Sequence, residues 1–168
     1  MGEESIDAIL SIIAAPDSTE MQIGLANWAL TLIGDRAPQV LRQAATSENA
    51  NVRKASISAL GSQIQALETE EDKELLLNAL SDPFAEIRAE AVTLLGKFDD
   101  AKIATPLLIP KLSDSDSWVR KNSALSLMKL REISSIDALQ SRATEENDEN
   151  VLSVLKLAIN QLLRVSEN

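Results

Sequence analysis

SDPFAEIRAEAVTLLGKF, residues 81–98, carries one complete unit of this 168-residue chain. Asp82 and Pro83 read as a helix start, since an Asp N-cap accepts orphan backbone N–H groups and Pro is tolerated at the first helical position. From Ile87 onward, Ala91, Leu94, Leu95 and Phe98 recur at the spacing of a single buried helical face.

Working outward from Ile87 as an anchor, the same face returns four times. It reads Val52, Ser56, Ala59, Leu60; Val119, Ser123, Ser126, Leu127, Leu130; Val151, Leu155, Ala158, Ile159, Leu162; and Met21, Leu25, Trp28, Ala29, Leu32. The anchors lie 31 to 35 residues apart, a period that marks stacked supersecondary units. Eleven residues before them stand Leu10, Leu41, Leu76 and Leu108, with Gln140 breaking the series, so a shorter helix precedes each anchor helix in fixed register. The spacing predicts first helices over 5–15, 37–45, 72–80, 104–112 and 135–143. It predicts second helices over 19–33, 50–66, 85–97, 117–130 and 149–165. Short polar turns join them, and no strand-like alternation interrupts them. The fold class that follows is all-α, a right-handed α-solenoid of about five helix pairs in a single domain, 1–168. Its repeats fall at about 1–34, 35–66, 67–98, 99–131 and 132–168.

The phrases ANVRKASISALG (50–61), AEIRAEAVTLLG (85–96) and SWVRKNSALSLM (117–128) resemble the HEAT-like repeats of phycobilisome-lyase-type and related bacterial proteins. Their shared hallmark is Val/Ile-Arg, small residues, then Ala/Leu-Leu-Gly behind an acidic turn. A tetratricopeptide pattern would want Tyr and an ankyrin pattern His, and the chain has neither. The resemblance implies that Arg53, Arg88 and Arg120, each just after its anchor, reach acids such as Asp82 and Asp114 in neighbouring turns. The result would be a structural ladder. A row of arginines could instead bind anions; in either case Leu152 ends the series.

In such solenoids the second helices line the concave side. Counting from the anchor, positions +2, +3, +6 and +10 should face that groove: Lys54, Ala55, Ser58 and Ser62; Ala89, Glu90, Thr93 and Lys97; Lys121, Asn122, Leu125 and Lys129; Ser153, Val154, Leu157 and Gln161. The candidate partner-binding set is therefore Lys54, Glu90, Lys121, Asn122, Leu125, Val154 and Leu157. Trp118 joins it because other repeats carry polar residues at its place. The apolar groups toward the C-terminus suit a protein helix laid in the groove, or they serve to bury the end of the stack. Trp118 is likewise either a binding anchor or the lid of an adjacent turn. Trp28 falls among core positions in the Met21 register and would face the groove only if Leu25 were the anchor.

Composition removes whole classes of chemistry. A net charge of −10 and a pI near 4.5 argue against nucleic acid or an anionic membrane as partner. With no Cys and no His, the chain lacks disulfides, thiolate metal sites, the commonest metal ligand and the commonest general base. No metal, cofactor or stock hydrolase constellation is expected. No apolar run approaches a membrane span, MGEESIDAIL is acidic where an export signal is basic, and Ile6 breaks a myristoylation reading of Gly2. A cytoplasmic location is the default. Two acidic runs, Glu68, Glu70, Glu71, Asp72, Glu74 and Glu145, Glu146, Asp148, Glu149, read as solvated helix starts favoured by the helix dipole. No calcium-loop spacing is present. The functional expectation is a non-catalytic scaffold binding a partner protein on the concave face. The resemblance implies an alternative, a phycobilin lyase-like subunit gripping a bilin and its phycobiliprotein through Glu90, Trp118 and the apolar strip.

Overall fold

Most second helices open on a side chain that caps them. In the computed structural model, which describes residues 2–61 and 69–166, helix α2 (Glu20–Ile33) begins with a reciprocal capping box. Thr19 Oγ1 accepts the Gln22 N–H at 3.3 Å, and Gln22 Oε1 accepts the Thr19 N–H at 2.8 Å. Asn49 caps α4 (Ala50–Leu60), Asp116 caps α8 (Ser117–Leu130) and Asp148 caps α10 (Glu149–Ser166), each accepting two backbone N–H groups. Asp116→Ala should lower stability by about 1 kcal/mol in urea denaturation. An unchanged midpoint would show that water replaces the cap.

The first helices of the pairs are α1 (Gly2–Ala14), α3 (Pro38–Ala44), α5 (Glu70–Leu80), α7 (Ala101–Leu108) and α9 (Ile136–Glu145). Helix α7 continues into a 3-10 turn, Ile109–Ser113, and another, Ile133–Ser135, leads into α9. The remaining second helix, α6, is Ala85–Leu95. It starts two residues later than Pro83 suggests. Asp82 is not its N-cap: Asp82 Oδ1 accepts the Phe84 N–H at 2.9 Å and shapes the turn before the helix. The described residues thus hold ten α-helices and no strand, an all-α solenoid of helix pairs. The end of the predicted 50–66 helix, with Ser62, and the acid Glu68 lie outside the described residues. Among those described, no helix is long and apolar enough to cross a membrane.

Two compact units divide the chain, residues 1–90 and 91–168, and the boundary falls inside α6. Within the first, α1 packs against α2, α3 and α4, and Ile6, Leu10, Ile13, Leu30, Leu41, Val52 and Leu60 are buried. Within the second, α8 packs against α7 and α10 while α9 lies on α10; Leu108, Val119, Leu127, Leu139, Val151, Leu155 and Leu162 are buried.

The anchors Val52, Ile87, Val119 and Val151 are all buried; Met21 is not. In the capped helices α4, α8 and α10 the anchor stands three residues after the cap, and three after Thr19 is Gln22. The true face of α2 is therefore Ala26, Ala29, Leu30 and Ile33, with Ala26 and Leu30 buried. Met21, Leu25, Trp28 and Leu32 point to solvent. The cause is one extra residue between the paired helices, since buried Leu10 precedes Gln22 by twelve rather than eleven. The fifth pair does the same. Buried Leu139, not Gln140, stands in the leucine position, twelve before Val151.

Candidate functional site

An arginine directly after the anchor does two jobs. Its Nη1 closes the turn of its own repeat: Arg53 donates to the Ser47 and Glu48 carbonyls, Arg88 to those of Asp82 and Pro83, and Arg120 to those of Asp114 and Ser115, all within 2.8–3.2 Å. In Arg53 and Arg120 the rest of the guanidinium reaches the following repeat. Arg53 donates from Nε to Asp82 Oδ2 at 2.8 Å and from Nη2 to Oδ1 at 3.1 Å. Arg120 makes the same fork onto Glu146, at 2.8 and 2.9 Å. The Arg53 charge also lies 5.6 Å from the Phe84 ring centroid.

Burial raises the Asp82 carboxyl, but the Arg53 hydrogen bond, the Phe84 N–H and the charges of Arg53 and Arg88 outweigh it and hold the group below the usual carboxylate range. Glu146 is held further down, at about 2. The Arg120 hydrogen bond is the main cause, opposed by burial and aided by the Asp148 N–H and Arg142.

Two acids read as solvated are in fact enclosed. Asp72, on α5, accepts from Arg42 Nε on α3 at 2.8 Å. The Glu146 side chain is 1% exposed, receives Arg120 and Arg142, and caps the N–H groups of Asn147 and Asp148. A charge cannot be left alone at such a site, and Arg42, Arg53, Arg120 and Arg142 are each paired with one of these enclosed carboxylates or with Asp82. The sequence held a signal for Glu146: it stands five before its anchor, as Asp82 and Asp114 do. For Asp72 there was none.

The candidate groove residues differ in what they offer. Trp118 is 58% exposed and Lys121 Nζ lies 4.7 Å from its ring centroid. Lys54 is exposed, in a cleft of about 400 Å³ lined with Asn51, Phe84 and Glu86. Leu157 is exposed, whereas Glu90, Leu125 and Val154 are half-buried. Asn122 donates to Thr93 Oγ1 at 3.2 Å, so it is engaged within the fold. Ala55 and Ala89 are buried and offer a partner nothing. A second cleft, about 430 Å³, gathers Lys129, Arg131 and Arg164 beside Met128, Leu162 and Val165. In an acidic chain that is a concentration of positive charge next to apolar walls.

Residues 73–160 match the sequence family described as HEAT repeats. The chain is 40% identical over 162 residues to the bilin biosynthesis protein MpeU of Synechococcus sp. (strain WH8020). That alignment takes in 96% of this chain but spans only 54% of the relative's length. Among solved structures, the complex of CpcE and CpcF of phycocyanin lyase from Nostoc sp. PCC7120 contains a chain that superposes with a TM-score of 0.76 at 17% identity, over 92% of this chain and 98% of that one. An engineered protein superposes at 0.58 and 22% identity, over 95% and 79%. Both structural likenesses show the fold.

Proposed function

The chain belongs to the HEAT-repeat family, and from that premise we propose that it is a phycobilisome-lyase-type, chromophore-handling subunit that binds a bilin together with a protein partner. The observation that carries this reading is the 40% identity to a bilin biosynthesis protein along 96% of the chain. A shared helical fold alone would not carry it, because HEAT stacks serve many functions. The likeness to a chain of a two-protein lyase complex supports the protein partner.

The residue inventory limits what such a subunit does. The chain has no cysteine, so a bilin held through a thioether is attached to a cysteine of the acceptor. The contribution assigned to it is to grip and orient the chromophore. The exposed indole of Trp118 suits a conjugated tetrapyrrole by stacking, and Lys121 beside it suits a propionate carboxylate. Leu125, Val154 and Leu157 supply apolar contact under the same reading.

Titrating the purified protein into biliverdin and following visible absorption tests this. We expect a shifted, saturable band, weakened about tenfold or more when Trp118→Ala and Lys121→Ala are combined. A flat titration removes the chromophore and leaves a subunit that binds proteins only. Normal binding by the double variant moves the site away from Trp118.

A further inference from the structure

Helix α2 presents a continuous apolar stripe to solvent: Met21 is 77% exposed, Leu25 60%, Trp28 63% and Leu32 57%. Spaced four, three and four residues apart, they run along one side for about 16 Å, three turns of helix. Within the stripe sits Gly24, in mid-helix, where an added Cβ would meet nothing within 4 Å. Glycine weakens a helix interior, and no neighbour in this unit requires one here. The open notch suits close approach from outside.

Counted from Gln22, the four side chains stand at −1, +3, +6 and +10. The same positions in α10 are Asn150, Val154, Leu157 and Gln161. With α8 packed alongside α10, Asn150, Leu157 and Gln161 remain exposed. Another helix pair stacked beside α2 would likewise leave most of the stripe bare. What covers it must come from the open side.

We infer that the α2 stripe is a docking site for an amphipathic helix of another protein, with its apolar face flanked by Lys or Arg. Three turns of exposed apolar surface match one face of a short helix, and Gly24 lets the two backbones approach. Charge selects the flanks. Residues 16–36 carry Asp17, Glu20 and Asp35 against Arg36 alone, and the chain as a whole is at −10. A second copy would set like charges together, whereas a basic-flanked helix complements them. This inference does not depend on the chromophore reading.

Phe in place of Trp118 leaves Trp28 as the sole tryptophan, a reporter inside the stripe. On that background, two synthetic 15-residue amphipathic helices, one of Leu and Lys and one of Leu and Glu, are titrated while Trp28 fluorescence is read. The Leu/Lys helix should shift Trp28 emission to the blue and saturate; the Leu/Glu helix should not. Leu25→Glu with Leu32→Glu should abolish the shift while circular dichroism stays unchanged. Gly24→Leu separates docking from folding, because it should raise thermal stability yet weaken binding about tenfold or more. Equal binding of both peptides, or undiminished binding by Gly24→Leu, would overturn the inference. So would a dimer in sedimentation that Leu25→Glu dissolves, or loss of biliverdin binding when Leu25→Glu is made with Trp118 intact, which would give the stripe to a second copy or to the chromophore.

Discussion

Glu146→Ala should destabilise the unit formed by residues 91–168 by about 3–5 kcal/mol, the range for breaking a buried ion pair from one side. The side chain is 1% exposed and holds the forked Arg120 and the Arg142 Nε and Nη2 groups, so its loss leaves the half-buried Arg120 guanidinium without its hydrogen-bonded carboxylate. Replacing both ends of the fork, Arg120→Met with Glu146→Met, should cost less than Glu146→Ala alone. Arg142 then retains Glu145, 3.8 Å away, and no half-buried guanidinium is left unpaired. Chemical denaturation of the three proteins measures the order, and a double variant weaker than the single would contradict it.

The same pair sets an acid limit. Glu146 titrates at about 2 in the folded chain against an ordinary 4.5. A carboxyl lowered by folding contributes stability that is fully present above its unfolded value and disappears as pH falls through its folded value. The contribution, about 3 kcal/mol, should therefore stand intact at pH 6 and erode between about pH 5 and pH 2. Asp82, also lowered, acts in the same direction. Glu146→Gln should flatten this part of the stability profile, and an unaltered acid slope in that variant would remove the pair as its source.

The second large effect is expected at Gly96. A Cβ there would sit 2.5 Å from Ser126 Oγ and 2.8 Å from Ser126 Cβ, so α6 and α8 approach through a gap only glycine fits. Ser126 Oγ also donates to the Val92 carbonyl at 2.9 Å, which fixes the helices at that distance. Gly96→Val should cost about 3 kcal/mol, because neither backbone has room to withdraw in a close-packed interior. Gly96→Ala should cost less and recover in part when combined with Ser126→Gly, which clears the two shortest contacts. Thermal denaturation reads both. An Ala variant as stable as the parent would mean that the helices part freely.

Much of this was legible from the chain. Val52, Ile87, Val119 and Val151 read as anchors and are buried, and the leucine row eleven residues earlier located the first helices. The reading failed at α2 because that helix is apolar on both sides. Met21, Leu25, Trp28 and Leu32 fit a helical period as well as Ala26, Ala29, Leu30 and Ile33 do. A slip of one residue turns a helix by about 100°, so it exchanged the buried face for the exposed one. The turn acids failed differently. Glu145 and Glu146 are adjacent and chemically alike, yet Glu145 is exposed and Glu146 is enclosed.

The sequence by itself determined the helix pairs, their period and the removal of thiol and imidazole chemistry, since these follow from residue types and local spacing. Tertiary structure alone decided which face of α2 meets solvent, which acids lie beneath arginines and why Gly96 must be glycine. Each of those depends on what a distant segment brings to within a few ångströms. A period along one helix holds no record of its neighbours.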